Sequence, residues 1–237
     1  MGKRGGTKHM KRIAVPKAVP ITDKKSNTWI IKPRPGPHGM RKCMALGVLL
    51  RDVLKAAGSL REANRILASR KVLVDGSVRT DRKFPVGLMD IVSLPESGKH
   101  YHITVDWKGR LVPKEMDEKK TGSKLLKVVK KHTSKGGKIT LTFHDGRNMS
   151  ADNNVKVGDS IVLKLPEGTM ASHLKLESGS RCLVQEGKHS GKLVTLREII
   201  KRKAGERPEA LVEDKSGSFE TVLEYLFVVG KDFGVAE

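Results

Sequence analysis

The feature that most constrains this sequence is a first segment that cannot fold by itself. Residues 1–42 carry twelve bases (Lys3, Arg4, Lys8, Lys11, Arg12, Lys17, Lys24, Lys25, Lys32, Arg34, Arg41 and Lys42) against one acid, Asp23. Gly2, Gly5 and Gly6, with Pro16, Pro20, Pro33, Pro35 and Pro37, leave no sustained helical or strand period. A chain of this kind buries too little apolar surface to order alone, and its own charge extends it. A solvated tail is the bland explanation. The excess is one-signed and unmatched by acids, which favours a polyanion, since each Lys or Arg laid on a phosphate releases condensed counterions. A membrane surface fits less well, because the segment has no amphipathic apolar face.

The rest of the 237 residues must supply the cores. The formal net charge is +21, of which residues 1–42 hold +11, 43–105 hold +4, 106–175 hold +7 and 176–237 hold −1. Aromatics make up only 4% of the chain within 37% apolar residues, so the cores are small and built of Val, Leu and Ile. This length allows one large domain or two to three small ones. The apolar run Met44–Leu50 is far short of the ~20 residues that span a bilayer. No apolar h-region stands at the N-terminus, so no secretory signal is expected. Cys43 and Cys182 are too far apart for a zinc knuckle or a disulfide framework.

Leu46, Leu49, Leu50, Val53, Leu54 and Ala57 fall on one stripe of a helix, which Gly58 is expected to end. Ser59 and Glu62 have capping-box spacing at the start of a second helix. That helix buries Ala63, Ile66 and Leu67 and presents Arg61 and Arg65 together on the other side. Asp75-Gly76 then turns a hairpin within Lys71–Val78, and Asp90–Leu94 adds a strand. With Arg70, Lys71, Arg79, Arg82 and Lys83 around the turn, this is a compact basic α/β module. Its Ala63-x-x-Ile66, Val72-x-Val74-Asp75-Gly76-x-Val78 and Gly87 ahead of Asp90-Ile91-Val92 resemble the S4 RNA-binding domain. The resemblance implies RNA gripped by the two helices and the adjacent hairpin. One departure is that Leu88 and Met89 separate Gly87 from Asp90, where most members have the two adjacent.

From Tyr101 the period becomes two. Tyr101, Ile103, Val105 and Trp107 alternate with His102, Thr104 and Asp106, and Ile139, Leu141, Phe143 and Ile161, Leu163, Leu165 repeat the pattern. Such strands between Asp145-Gly146 and Gly158-Asp159 turns suggest a small barrel or sandwich. The stretch 119–138 fits helix or strand through Leu125, Leu126, Val128 and Val129, and is read as strand. In the last part, Cys182–Gln185 and Leu193–Leu196 flank Glu186-Gly187-Lys188-His189-Ser190-Gly191-Lys192, which resembles the KOW motif. A nucleotide phosphate loop would need Ser or Thr after Gly191-Lys192, and Leu193 stands there.

The order of these parts, with Lys8–Pro16, Arg34–His38, Val74–Asp81, Gly87–Asp90, Ser216–Thr221 and Phe227–Lys231, is similar to the archaeal and eukaryotic small-subunit ribosomal protein S4e family. The modest length, and the end soon after Gly230-Lys231, favour an archaeal member. The expected organisation is α+β and multidomain. It comprises a basic extended arm (1–42), an S4-like domain (43–105), a central β-rich, barrel-like domain (106–175) and a C-terminal SH3-like KOW barrel (176–237). The resemblance implies a structural role in the cytoplasmic small ribosomal subunit, with ribosomal RNA and neighbouring ribosomal proteins as partners. It implies no cofactor, metal, small-molecule substrate or membrane.

Candidate RNA contacts are Lys3, Arg4, Lys8, Lys11, Arg12, Lys17, Arg34, Arg41 and Lys42 in the arm, expected to order only on RNA. Arg61, Arg65, Arg70, Lys71, Arg79, Arg82 and Lys83 follow in the S4-like domain. On the KOW loop, Lys188, His189 and Lys192 face RNA or a neighbouring protein. A free RNA-binding or elongation-type factor is the alternative. Catalysis finds no support: His100 and His102 lack a third metal ligand. Asp145 and Asp159 suit turns, and Gly146-Arg147 is followed by Asn148-Met149 rather than a catalytic aspartate.

Overall fold

The structure, a computed structural model, describes residues 7–151, 153–200, 206–214 and 217–230. Lys3, Arg4, Ser216 and Lys231 therefore lie outside the described residues. The chain divides into two compact units, Met1–Thr104 with Arg110–Thr121, and Val105–Gly109 with Gly122–Glu237.

In the first unit the basic segment is not a free arm. Strand β1 (Met10–Lys11) pairs antiparallel with β2 (Trp29–Ile30). Val15, Ala18, Val19, Ile21 and Ile30 are buried. The Arg34 N–H donates to the Lys83 carbonyl at 2.9 Å, and the Leu111 N–H donates to that of Ala18 at 2.7 Å. The expectation of an extended arm is thus corrected from residue 7 onward. The segment still has no period of its own. Its scattered apolar side chains reach surface supplied by residues far along the chain, which no local pattern reveals.

Strand β3 (Cys43–Ala45) leads into helix α1 (Leu46–Val48), which widens into a π-helical turn, Leu49–Val53. The Leu54 N–H donates to the Leu49 carbonyl at 2.8 Å. Leu46, Leu49 and Leu50 are fully buried, as the stripe predicts. Gly58 does not end this helix: the chain already leaves it at Lys55, whose φ of 52° is left-handed. Gly58 instead donates its N–H to Glu62 Oε2 at 2.8 Å, while Ser59 Oγ accepts from the Glu62 N–H at 3.2 Å. One orphan donor at the start of α2 (Leu60–Ala68), the Glu62 N–H, is thereby capped, while the Glu62 carboxylate reaches past Ser59 to the residue before it. Helix α2 buries Ala63 and Leu67, with Ile66 only half-buried.

Strands β4 (Leu73–Val74) and β5 (Ser77–Val78) form the expected hairpin. Asp75 (φ 52°) and Gly76 (φ 73°) are both left-handed, the geometry that lets a two-residue turn follow the strand twist. Strand β6 (Pro85–Gly87) pairs with β3. Strands β7 (Ile91–Leu94), β8 (Lys99–Val105) and β9 (Leu111–Met116) complete a sheet in the order β5-β4-β7-β8-β9. Because β9 returns to β8, this sheet extends past residue 105. His102 and Thr104 are buried along with Tyr101 and Ile103, so β8 is covered on both faces. Trp107 lies beyond the strand and is 68% exposed.

The second unit is all β. Strands β10 (Ser123–Thr133), β11 (Ile139–Phe143), β12 (Asn148–Ser150), β13 (Ser160–Lys164) and β14 (Thr169–Leu174) form an antiparallel sheet ordered β12-β11-β10-β13-β14. Its core is Leu126, Val128, Leu141, Phe143, Val155, Ile161 and Leu163. Strands β15 (Arg181–Val184), β16 (Leu193–Ile200), β17 (Glu209–Asp214), β18 (Gly217–Val222) and β19 (Leu226–Val228) form the other sheet, ordered β18-β17-β16-β15-β19. The two sheets lie in one unit, and each has its own core. Lys127 of β10, buried, donates to the carbonyls of Glu224 and Leu226 at 2.7 Å each. Leu174 and Leu176 pack on the core of the second sheet.

A variant beginning at residue 43 removes five buried apolar side chains, of which Val15, Val19, Ile21 and Ile30 are each worth about 1.5–3 kcal/mol. Its melting temperature should fall by more than about 10 °C in a calorimetric or circular-dichroism melt. An unchanged melting point would contradict the docked arrangement.

Candidate nucleic-acid interface

Packing separates bases held inside the fold from bases left on its surface. Arg12 is 7% exposed and its Nε donates to the Asp23 carbonyl at 2.7 Å, so it staples the loop between β1 and β2 instead of facing solvent. Lys8, Lys11, Lys17, Arg41 and Lys42 are exposed. Arg34 is exposed but paired with Asp81 at 2.9 Å, and Lys71 is paired with Glu96. On α2, Arg61 and Arg65 are exposed one turn apart, as their spacing predicts. Arg70 is exposed with a φ of 61°, just beyond that helix. Arg79 lies over the Phe84 ring at 4.5 Å, which fixes its guanidinium while leaving its charge.

Within the first unit, Lys8, Arg82 and Lys83 are brought together around a cavity of about 240 Å3. Lys32 and Arg51 also line it, with His9, Trp29, Ile30, Ile31 and Leu60. Arg51 is held by Asp52 through two hydrogen bonds of 3.0 and 2.9 Å. Sequence reasoning did not single out Trp29, His9, Lys32 and Arg51, which the fold brings to this cavity. The available signal was Trp29 itself, an aromatic set among lysines in a segment with no periodic core.

In the second unit, the loop between β15 and β16 is built tightly. Gly187 (φ 96°) and Gly191 (φ 81°) are both left-handed, and a Cβ on Gly191 would lie 2.8 Å from the Asp106 carbonyl carbon. Two of the three candidates here are engaged within the chain. The His189 ring stacks on Phe219 at 3.9 Å, and Lys192 Nζ lies 2.7 Å from Asp214 Oδ2. Lys188 remains exposed.

Neither cysteine has nucleophilic character. Burial pushes the Cys43 thiol up to about 12, with the nearby Asp90 charge adding to it. Burial likewise takes Cys182 to about 12 against the opposing pull of Lys127. His100 Nδ1 is hydrogen-bonded to Ser93 Oγ at 2.9 Å, and the described residues hold no cluster of three metal-ligating side chains.

With this arrangement in place, three family models match the chain: the RS4NT domain over residues 4–41, the S4 domain over 49–92, and the ribosomal family S4e over 97–170. A small ribosomal subunit protein eS4 of Methanosphaera stadtmanae is 41% identical over 232 residues, covering 98% of this chain and 96% of that one. Another from Korarchaeum cryptofilum is 41% identical over 236 residues, covering 98% and 97%. The chain belongs to the ribosomal S4e family. The crystal structure of the 30S ribosomal protein S4e from Thermoplasma acidophilum aligns with a TM-score of 0.70 at 32% identity, over 81% of this chain and 96% of that one. The family consists of structural ribosomal proteins rather than enzymes.

The native thiols keep their protons up to about 12, whereas in the unfolded chain they titrate near 9.0. Their contribution to stability is therefore complete below pH 9 and is lost as the pH rises from 9 toward 12. A disulfide dye at pH 8 should label neither cysteine in the native protein and both in guanidinium chloride. Rapid native labelling would show that one of them is not buried.

Proposed function

We propose that this chain, a structural constituent of the small ribosomal subunit, holds ribosomal RNA through phosphate-backbone and shape contacts made by its S4-containing unit. Full-length similarity to small ribosomal subunit proteins carries the ribosomal role. The mode of contact follows from the bases that packing leaves outside: Lys8, Lys11, Lys17, Arg41, Lys42, Arg61, Arg65 and Arg70. They differ in reach and element and share only charge, which suits positioning on phosphates rather than reading of base edges. Double-stranded RNA presents a shallow minor groove and its phosphates, so a basic surface meets it by shape. Lys3 and Arg4 extend the same charge toward the N-terminus.

The loop at 186–192 is a lesser contact. His189 and Lys192 are held by Phe219 and Asp214, leaving Lys188 to reach RNA or a neighbouring ribosomal protein. The β15–β19 sheet is read as the KOW barrel, on the strength of its left-handed Gly187 and Gly191 between two strands.

Sucrose-gradient fractionation of native extract tests this reading. The chain should run in one-to-one stoichiometry with the small subunit and stay there in moderate salt. Recovery only in light fractions would overturn it in favour of a free RNA-binding factor. With about eight phosphates neutralised, log affinity for an RNA fragment should fall with log salt at a slope of roughly −6 to −7. A much shallower slope would remove the phosphate-dominated mode.

A further inference from the structure

We propose that the cavity beside β2 takes a single unpaired RNA nucleotide, its base stacked against Trp29. This rests on the RNA-binding reading above and adds a specific subsite to it.

Trp29 is 52% exposed and, unlike the still more exposed Trp107 on its turn, it lines this cavity. It stands beside a concave apolar floor of Ile30, Ile31 and Leu60. His9 meets it edge-on, with ring centroids 4.9 Å apart and planes at 90°, and so forms a wall to the site. The rim is cationic through Lys8, Lys32, Arg82 and Lys83, none of which has a carboxylate within ion-pair distance among the described residues. Lys32 donates to the Thr7 carbonyl, which orients the ammonium without neutralising it. Arg51, by contrast, is already matched by Asp52.

An aromatic face ringed by uncompensated cations is complementary to a group that is flat and apolar in the middle and anionic outside. A nucleotide is such a group, and base–aromatic stacking tolerates any base because each has a π face. The volume, about 240 Å3, lies below the ~300–1,000 Å3 of ordinary small-molecule sites and suits one ring system rather than an extended cofactor. Inside a duplex each base face is covered by its neighbours, and the whole base pair at a blunt end is wider than a site for one ring system, so the occupant comes from a loop, bulge or strand end.

The test uses the full chain carrying Trp107→Phe, which leaves Trp29 as its sole tryptophan; Trp107 is 68% exposed on a turn, so the exchange removes no core. The protein is titrated with a short single-stranded RNA and with a blunt RNA duplex of equal phosphate number. Single strand should quench Trp29 emission saturably, and the duplex should bind without quenching. Adding Trp29→Ala should weaken single-strand binding by about 5- to 100-fold and leave duplex binding unchanged. Trp29→Phe should restore most of the loss, which separates lost stacking from a misfolded hairpin. Single-strand binding without quenching, or an alanine variant that affects both RNAs equally or neither, would overturn the subsite while leaving the RNA-binding reading standing. Failure of both RNAs to bind the parent would sink that reading and the subsite with it.

Discussion

Asp90 is 1% exposed, and a carboxylate taken that far from water costs several kcal/mol unless its oxygens find partners. It finds two kinds. The His38 Nε2 lies 3.0 Å from both of its oxygens, and the Gly87 N–H donates to Oδ2 at 2.8 Å. The first contact fixes the end of the basic N-terminal segment against the S4 fold. The second closes the turn between β6 and β7, with Met89 left-handed at φ 65°. Gly87 lies so close under the imidazole that a Cβ there would come within 2.4 Å of His38 Cγ. One buried acid therefore sets the position of the segment, the turn and the sheet edge together. The two residues separating Gly87 from Asp90 are the length that lets the carboxylate fold back onto the glycine.

This pin explains why so basic a segment packs against the S4 fold over its described residues. Its apolar side chains are too few to make a core and suffice only to be added to one. Once Val15, Val19, Ile21 and Ile30 are seated, most of the intervening lysines have nowhere to go but outward. Burial of the apolar side chains thus displays the cationic ones between them. The second unit uses its bases differently. There Lys124 is 1% exposed with Asp145 at 3.4 Å, and Lys127 is spent on two backbone carbonyls. The same residue type serves as a surface charge in one unit and as an internal tie in the other.

Legibility in the sequence followed the range of the interaction. The Asp75-Gly76 turn, the Ser59–Glu62 cap and the Arg61/Arg65 face were all readable, since each depends on residues within a few positions. The π-helical turn at Leu49–Val53 was not, because an apolar stripe looks the same whether its hydrogen bonds close after four residues or five. His189 and Lys192 looked available because Phe219 and Asp214, which occupy them, come from strands 22 or more residues away. Trp29 escaped notice because its neighbours around the cavity range from Lys8 to Lys83.

The sequence by itself determined the chemistry of the partner and the local elements. A one-signed charge excess and short-range turn and cap signals are properties of composition and neighbouring residues, and they persist in any fold. Only the tertiary structure decided which bases stay exposed and that the N-terminal segment belongs to the first unit. Those outcomes depend on desolvation and close packing between surfaces built from distant parts of the chain. The burial of Arg12 and of Asp90 beside His38 is of that kind, and no pattern along the sequence encodes it.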